Sequence, residues 1–145
     1  MPKAEKIIVF CSSILLILFF IGMIYAVREL NILLPTCITS VEPFKTGKVI
    51  KHTEDKYEIQ YVARMWNFDP AVVEVPVGAT IDFYVTSLDV IHGFHILGTN
   101  VNLMAVPGTV NYIQKKFLKA GEYSILCHEY CGMGHQMMSA KIMVK

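Results

Sequence analysis

The residues best equipped for chemistry lie close together near the C-terminus, in Cys127-His128-Glu129-Tyr130-Cys131-Gly132-Met133-Gly134-His135-Gln136-Met137-Met138. Two thiols, an imidazole and a thioether stand there at C-x3-C-x3-H-x2-M spacing. Soft sulfur donors combined with imidazole suit copper. The segment has no run of carboxylates from which to build an oxygen cage for Mg²⁺ or Ca²⁺.

Three plainer readings compete. Positions 127, 131, 135 and 138 also fall on one face of a helix, but Gly132 and Gly134 each weaken a helix by about 1 kcal/mol relative to alanine and let a loop fold back instead. A Cys127–Cys131 disulfide suits an oxidising compartment but leaves the His and Met at ligand spacing unexplained. Structural zinc is poorly served by a thioether. A one-copper blue site uses a single Cys with two His, whereas this segment has two Cys. Two thiolates can each bridge a pair of copper ions, and the pair then needs a second imidazole besides His135. His52, His92, His95 and His128 are the alternatives. His92 is favoured, since Asp89-Val90-Ile91-His92-Gly93-Phe94-His95 follows a predicted strand and opens another. His95 points to the opposite face of an extended segment, His128 faces outward beside Cys127, and His52 lies in a connector.

Such ligands need a rigid frame, and the sequence from Lys56 onward supplies alternating, punctuated runs: 57–64, 72–78, 80–87, 110–117, 121–128 and 139–145. These read as strands, separated by Pro70, Pro76, Gly78, Gly98, Pro107, Gly108 and Gly121. A small antiparallel β-sandwich is expected, with Phe83, Val85, Phe117, Tyr123 and Ile125 facing inward. No helix of useful length is expected beyond residue 56.

The N-terminal part reads differently. Ile7 to Val27 is a run of 21 residues without a charge, spanning about 31 Å as a helix, enough to cross a bilayer core. It exceeds the apolar stretch of a cleaved signal peptide and lacks a small-residue cleavage site. Residues 1–28 are therefore expected to form a retained anchor, 29–55 a linker rich in Pro, Gly and charge, and 56–145 the folded domain. Lys3 and Lys6 before the run favour an internal N-terminus and an external C-terminal domain. Cys11 and Cys37 lie outside the metal segment and read as incidental thiols. The folded domain holds seven basic and seven acidic residues, which gives no basic face for nucleic acid and weak long-range steering of a charged partner.

The C-x-E-x-C-G-x-G-H-x-x-M core at 127–138, with D-V-x-H ending 35 residues before the first Cys, resembles the dinuclear CuA domain of cytochrome c oxidase subunit II, over roughly residues 57–145. The resemblance implies an all-β, cupredoxin-like Greek-key β-sandwich behind one N-terminal transmembrane helix. It implies that Cys127 and Cys131 bridge two coppers, with His92, His135, the Met138 thioether and the backbone carbonyl of Glu129 as terminal ligands. Trp66 and Phe68 resemble the aromatic segment through which the family accepts electrons. Many members carry a two-helix hairpin, so this chain is more similar to the short, single-anchor bacterial and archaeal type. In longer relatives the acidic residue at the position of Glu129 also serves a Mg²⁺ at the interface with subunit I. The implied partners are that haem-bearing subunit, cytochrome c as donor and small accessory membrane subunits. The implied location is the plasma membrane, with the copper domain on the periplasmic side. The site alone would also suit the CuA module of a nitrous or nitric oxide reductase, or a membrane-tethered copper-delivery protein. No acid–base pair, nucleophile triad or phosphate loop is visible, so electron relay is the expected task.

Overall fold

A computed structural model describes residues 2–29, 35–38 and 40–145. They form two compact units, an N-terminal helix and a β domain. The helix, α1 (Lys3–Glu29), buries none of its residues against protein. Its apolar side chains, from Ile7 through Val27, are exposed all round. A helix apolar on every face and left uncovered matches lipid rather than water.

The β domain contains β1 (Thr36–Ile38), β2 (Lys48–Lys51), β3 (Lys56–Arg64), β4 (Asn67–Asp69), β5 (Val72–Val75), β6 (Thr80–Ser87), β7 (His92–Ile96), β8 (Asn102–Ala105), β9 (Val110–Lys116), β10 (Gly121–Leu126) and β11 (Ser139–Val144). One sheet runs β1-β9-β6-β3-β2, with β4 also on β3, and the other runs β5-β11-β10-β7-β8. The β3/β6 and β5/β11 pairs are parallel and the remainder antiparallel. Neighbours so far apart in sequence are the mark of a Greek-key sandwich rather than a meander.

Period-two alternation fixes which side chains enter the core. In β6, Ile81, Phe83 and Val85 are fully buried, and in β3 so are Ile59 and Tyr61. Phe94 from the other sheet completes an aromatic centre, 4.9 Å from Tyr61 and 6.1 Å from Phe83 between ring centroids. Phe117 packs edge-on against both Phe83 and Tyr123. The inward positions expected from sequence are accordingly found in or against the core, with Tyr123 at its margin.

The span read as linker is only partly a connector. β1 lies against β9 and β2 against β3, so one edge of the first sheet and part of the other come from it. Strands of three and four residues are too short to show a period, which is why alternation misses them. The short β4 and β8 escape for the same reason.

Candidate metal centre

The loop from Cys127 to Met138 connects β10 to β11 and is not a helix. Its one regular turn is a short 3-10 helix, His135–Met137. Gly132 has φ +114°, a conformation that side-chain-bearing residues rarely adopt. Gly134 has a different reason to be glycine: a Cβ there would lie 2.4 Å from Cδ2 of Trp66. The Trp66 indole covers both glycines and donates from Nε1 to the backbone oxygen of Cys131 at 3.1 Å. The loop is thus folded over a tryptophan contributed by the other sheet's β3–β4 turn. Nothing in the spacing of the metal segment points to that contact. The only sequence signal is a lone tryptophan, Trp66, far along the chain from the two glycines that were read as letting the loop fold back.

Folding back brings the donors together. Cys127 Sγ and Cys131 Sγ are 3.7 Å apart and unbonded. Cys131 Sγ is 3.6 Å from His135 Nδ1 and 3.8 Å from Met138 Sδ. The Cys127 thiol lies 3.1 Å from the backbone oxygen of Glu129. His92, from the start of β7, brings a ring nitrogen to within 4.8 Å of both sulfurs. Cys127, Cys131, Met138 and His92 are all buried. Each residue expected to be a ligand therefore lies at one cluster, reached from a strand end and a single loop. Met137, the neighbour of Met138, is 84% exposed and turns away. His95 lies on the outer face of β7, and His128 is exposed. His52 bonds Glu58 at 3.1 Å, in the turn after β2.

The His92 ring shows which nitrogen is available. Nε2 is 2.8 Å from Asp89 Oδ1, while Nδ1 is buried without a hydrogen-bond partner among the described residues. A buried imidazole held by a carboxylate through one nitrogen, with the other left bare, is how a metal-binding histidine is oriented. Asp89 is itself held by the backbone N–H groups of Met65 and Val90. Burial works to raise its carboxyl pKa, but the bonds from His92, Met65 and Val90 outweigh that and hold it below the usual value. It therefore stays anionic at neutral pH and is a fixed acceptor for the His92 ring. Asp89→Asn, which keeps an acceptor but loses the charge, is expected to weaken copper binding by about 10–100-fold. Competition with a chromophoric Cu(I) chelator measures it, and unchanged affinity would remove Asp89 from the site.

Burial, followed by the hydrogen bond and charge of Cys127, pushes the Cys131 thiol up to about 11. Below that pH the metal-free residue keeps its proton, so a cation must displace it, and uptake releases protons. Copper affinity should consequently rise with pH across the neutral range. A pH series of the same competition assay checks this, and a flat profile would contradict it. An orphaned buried nitrogen, two adjacent thiols, a second imidazole and a thioether form a donor set that fits soft or borderline metal, copper above zinc.

Trp66 and Phe68 separate in the structure. Trp66 is 39% exposed, at the surface over the metal loop. Phe68 is fully buried, edge-on to Phe94 at 5.5 Å, and offers a partner nothing to touch. Its place in the aromatic core accounts for it.

Fold and site together define a β-sandwich metalloprotein module of cupredoxin type behind an apolar helix. Residues 47–145 match the family model for the periplasmic domain of cytochrome c oxidase subunit II. The chain is 44% identical over 113 residues to cytochrome c oxidase subunit 2 of Thermus thermophilus, covering 77% of this chain and 84% of that one. A chain of a haem-copper terminal oxidase dimer solved by cryo-electron microscopy superposes with TM-score 0.82 at 48% identity, covering 99% of this chain and 100% of the other. The periplasmic domain of subunit II of cytochrome oxidase from Bradyrhizobium japonicum superposes with TM-score 0.57 at 26% identity, over 61% of this chain and 83% of that domain. The chain belongs to the cytochrome c oxidase subunit II family. It is accordingly a subunit of a haem-copper oxidoreductase, with copper as the metal and subunit I as the partner that the family implies.

Proposed function

We propose that this chain holds a dinuclear CuA centre and is the electron-receiving subunit of a cytochrome c oxidase, passing electrons from cytochrome c toward the haem of subunit I. The observation that carries the reading is the convergence of Cys127, Cys131, His135, Met138 and the Glu129 carbonyl in one loop, with a ring nitrogen of the buried His92 within 4.8 Å of both sulfurs. When bound, a copper pair supplies a one-electron site whose charge is shared through bridging sulfur. The protein's part is to keep that site from rearranging. His92 is fixed by its strand and by Asp89, the loop is pinned by Trp66, and the core excludes water from Cys127, Cys131 and Met138. Ligands held in this way move little when charge arrives. Glu129 serves through its backbone oxygen, and its exposed carboxylate is available to a Mg²⁺ at the boundary with subunit I, as in longer relatives.

The helix α1 is the membrane anchor of residues 1–28 and the sandwich the domain presented on the periplasmic side of the plasma membrane. The coverage of the oxidase-dimer chain extends over α1 as well as the sandwich, which favours an anchor over a removed leader. Small accessory membrane subunits complete the assembly. A copper-delivery protein would have less use for a ligand set this buried.

Around the loop, Met65, Trp66, Leu88, Val90, Ile91 and Met133 are exposed apolar side chains, Met133 at 87%. With a domain charge that balances to zero, these favour an apolar docking face for the donor. The association rate with cytochrome c should fall only weakly with added salt, whereas a steep fall would indicate charge steering instead. The function itself is tested by rapid mixing of reduced cytochrome c with the assembled oxidase. The copper absorption should bleach before haem is reduced. Haem reduction at an undiminished rate in a complex without copper in this chain would contradict the relay.

A further inference from the structure

We propose a second metal position on the outer face of the second sheet, where His95 and His128 together take a single copper ion. It uses none of the ligands assigned to the buried cluster and does not depend on that assignment.

Alternation along the strands separates the two positions. His92 and Phe94 point inward, while Gly93 and His95 belong to the outer face. Cys127 is buried and His128 exposed, so these chain neighbours face opposite ways. The register pairs His95 with Leu126, and continuing it sets His128 beside Gly93. There the His128 ring fills the space a side chain would need: a Cβ on Gly93 would lie 2.6 Å from His128 Cγ. The absence of a side chain at 93 lets His128 lie down toward His95, with ring centroids 6.2 Å apart at 75°. On the other side of Gly93 its register partner is Met104, which puts a soft thioether in the neighbouring strand on the same face.

The two rings differ from His92 and His52. His92 is held by Asp89 and His52 by Glu58, but among the described residues neither His95 nor His128 has a hydrogen-bonded side-chain partner. A ring nitrogen binds a first-row cation at about 2.0 Å, so two rings sharing one ion have centroids at most about 6 Å apart. The present separation of 6.2 Å lies just beyond that limit, and a rotation of the exposed His128 brings the pair within it. Paired imidazoles with a nearby thioether favour copper, which also leads the divalent series in affinity.

The test uses the full chain in detergent, with the buried cluster first saturated with copper and Cu(II) then titrated. One further equivalent should remain bound after gel filtration, with a mononuclear paramagnetic resonance signal showing nitrogen hyperfine structure. His95→Gln and His128→Gln should each abolish that signal and leave the signal of the buried cluster unchanged. The same equivalent should bind to a Cys127→Ser, Cys131→Ser chain, which separates this outcome from any failure of the buried site. Should a glutamine variant not fold, protection of the wild-type rings from diethyl pyrocarbonate by one equivalent of Cu(II), mapped by mass spectrometry, gives the answer directly. No additional uptake, uptake retained in both variants, or unprotected rings would reduce the pair to edge-on packing and overturn the proposal.

Discussion

Cys127→Ser and Cys131→Ser are each expected to destroy the proposed dinuclear centre, leaving at most one weakly held copper in the buried cluster and no delocalised-electron spectrum. A serine hydroxyl occupies nearly the same space but is neither soft nor acidic enough to bridge two coppers. Both sulfurs stand within 3.7 Å of each other and make the closest approaches to the other donors, so removing either one opens the cluster as a whole. The fold should persist, since the aromatic centre of Tyr61, Phe83 and Phe94 does not include the loop. Metal analysis and paramagnetic resonance of the purified variants, beside circular dichroism, check both statements. A variant that kept two coppers and the wild-type spectrum would show that these thiols are not the bridges.

The second large effect is expected at Trp66. Its indole is partly exposed on the face proposed for docking and is also a brace, because it covers Gly132 and Gly134 and bonds the Cys131 carbonyl. Trp66→Ala removes both roles. Loss of a central tryptophan from a docking face costs on the order of 2 kcal/mol, roughly thirtyfold in affinity, and the loosened loop should slow transfer further. Trp66→Phe distinguishes the two roles: it keeps an apolar ring but loses the Nε1 bond. Slow donor oxidation that phenylalanine restores marks docking, and a copper spectrum altered in both variants marks bracing. Rates and spectra unchanged in Trp66→Ala would remove the residue from the path altogether.

The physical reason the site was legible in the sequence is that its donors are concentrated. Most lie on one twelve-residue loop, where residue type and spacing are visible together, and His92 is announced by the strand that precedes it. The long strands β3, β6 and β11 were legible because each has one face in the core and so alternates over most of its length. What sequence could not show was contact between distant segments. The role of Asp89 depends on a backbone turn that aims its carboxylate at His92 Nε2, and the meeting of Trp66 with the glycines depends on two loops at the same end of the sandwich. Phe68 illustrates the converse: two residues from Trp66 in sequence it looks equivalent, but Trp66 lies in the β3–β4 turn over the metal loop, whereas Phe68 lies on β4 and enters the core. Short edge strands such as β1 and β2 are determined by their partners, and three or four residues carry too little pattern to reveal them.

The most direct test of the copper relay is metal stoichiometry together with the optical and paramagnetic resonance spectra of the full chain in detergent, loaded with copper under reducing conditions. A dinuclear relay requires a pair of coppers in the buried cluster and one unpaired electron shared equally between them. A single copper with a localised electron, zinc in its place, or a Cys127–Cys131 disulfide that persists through reduction and loading would contradict it.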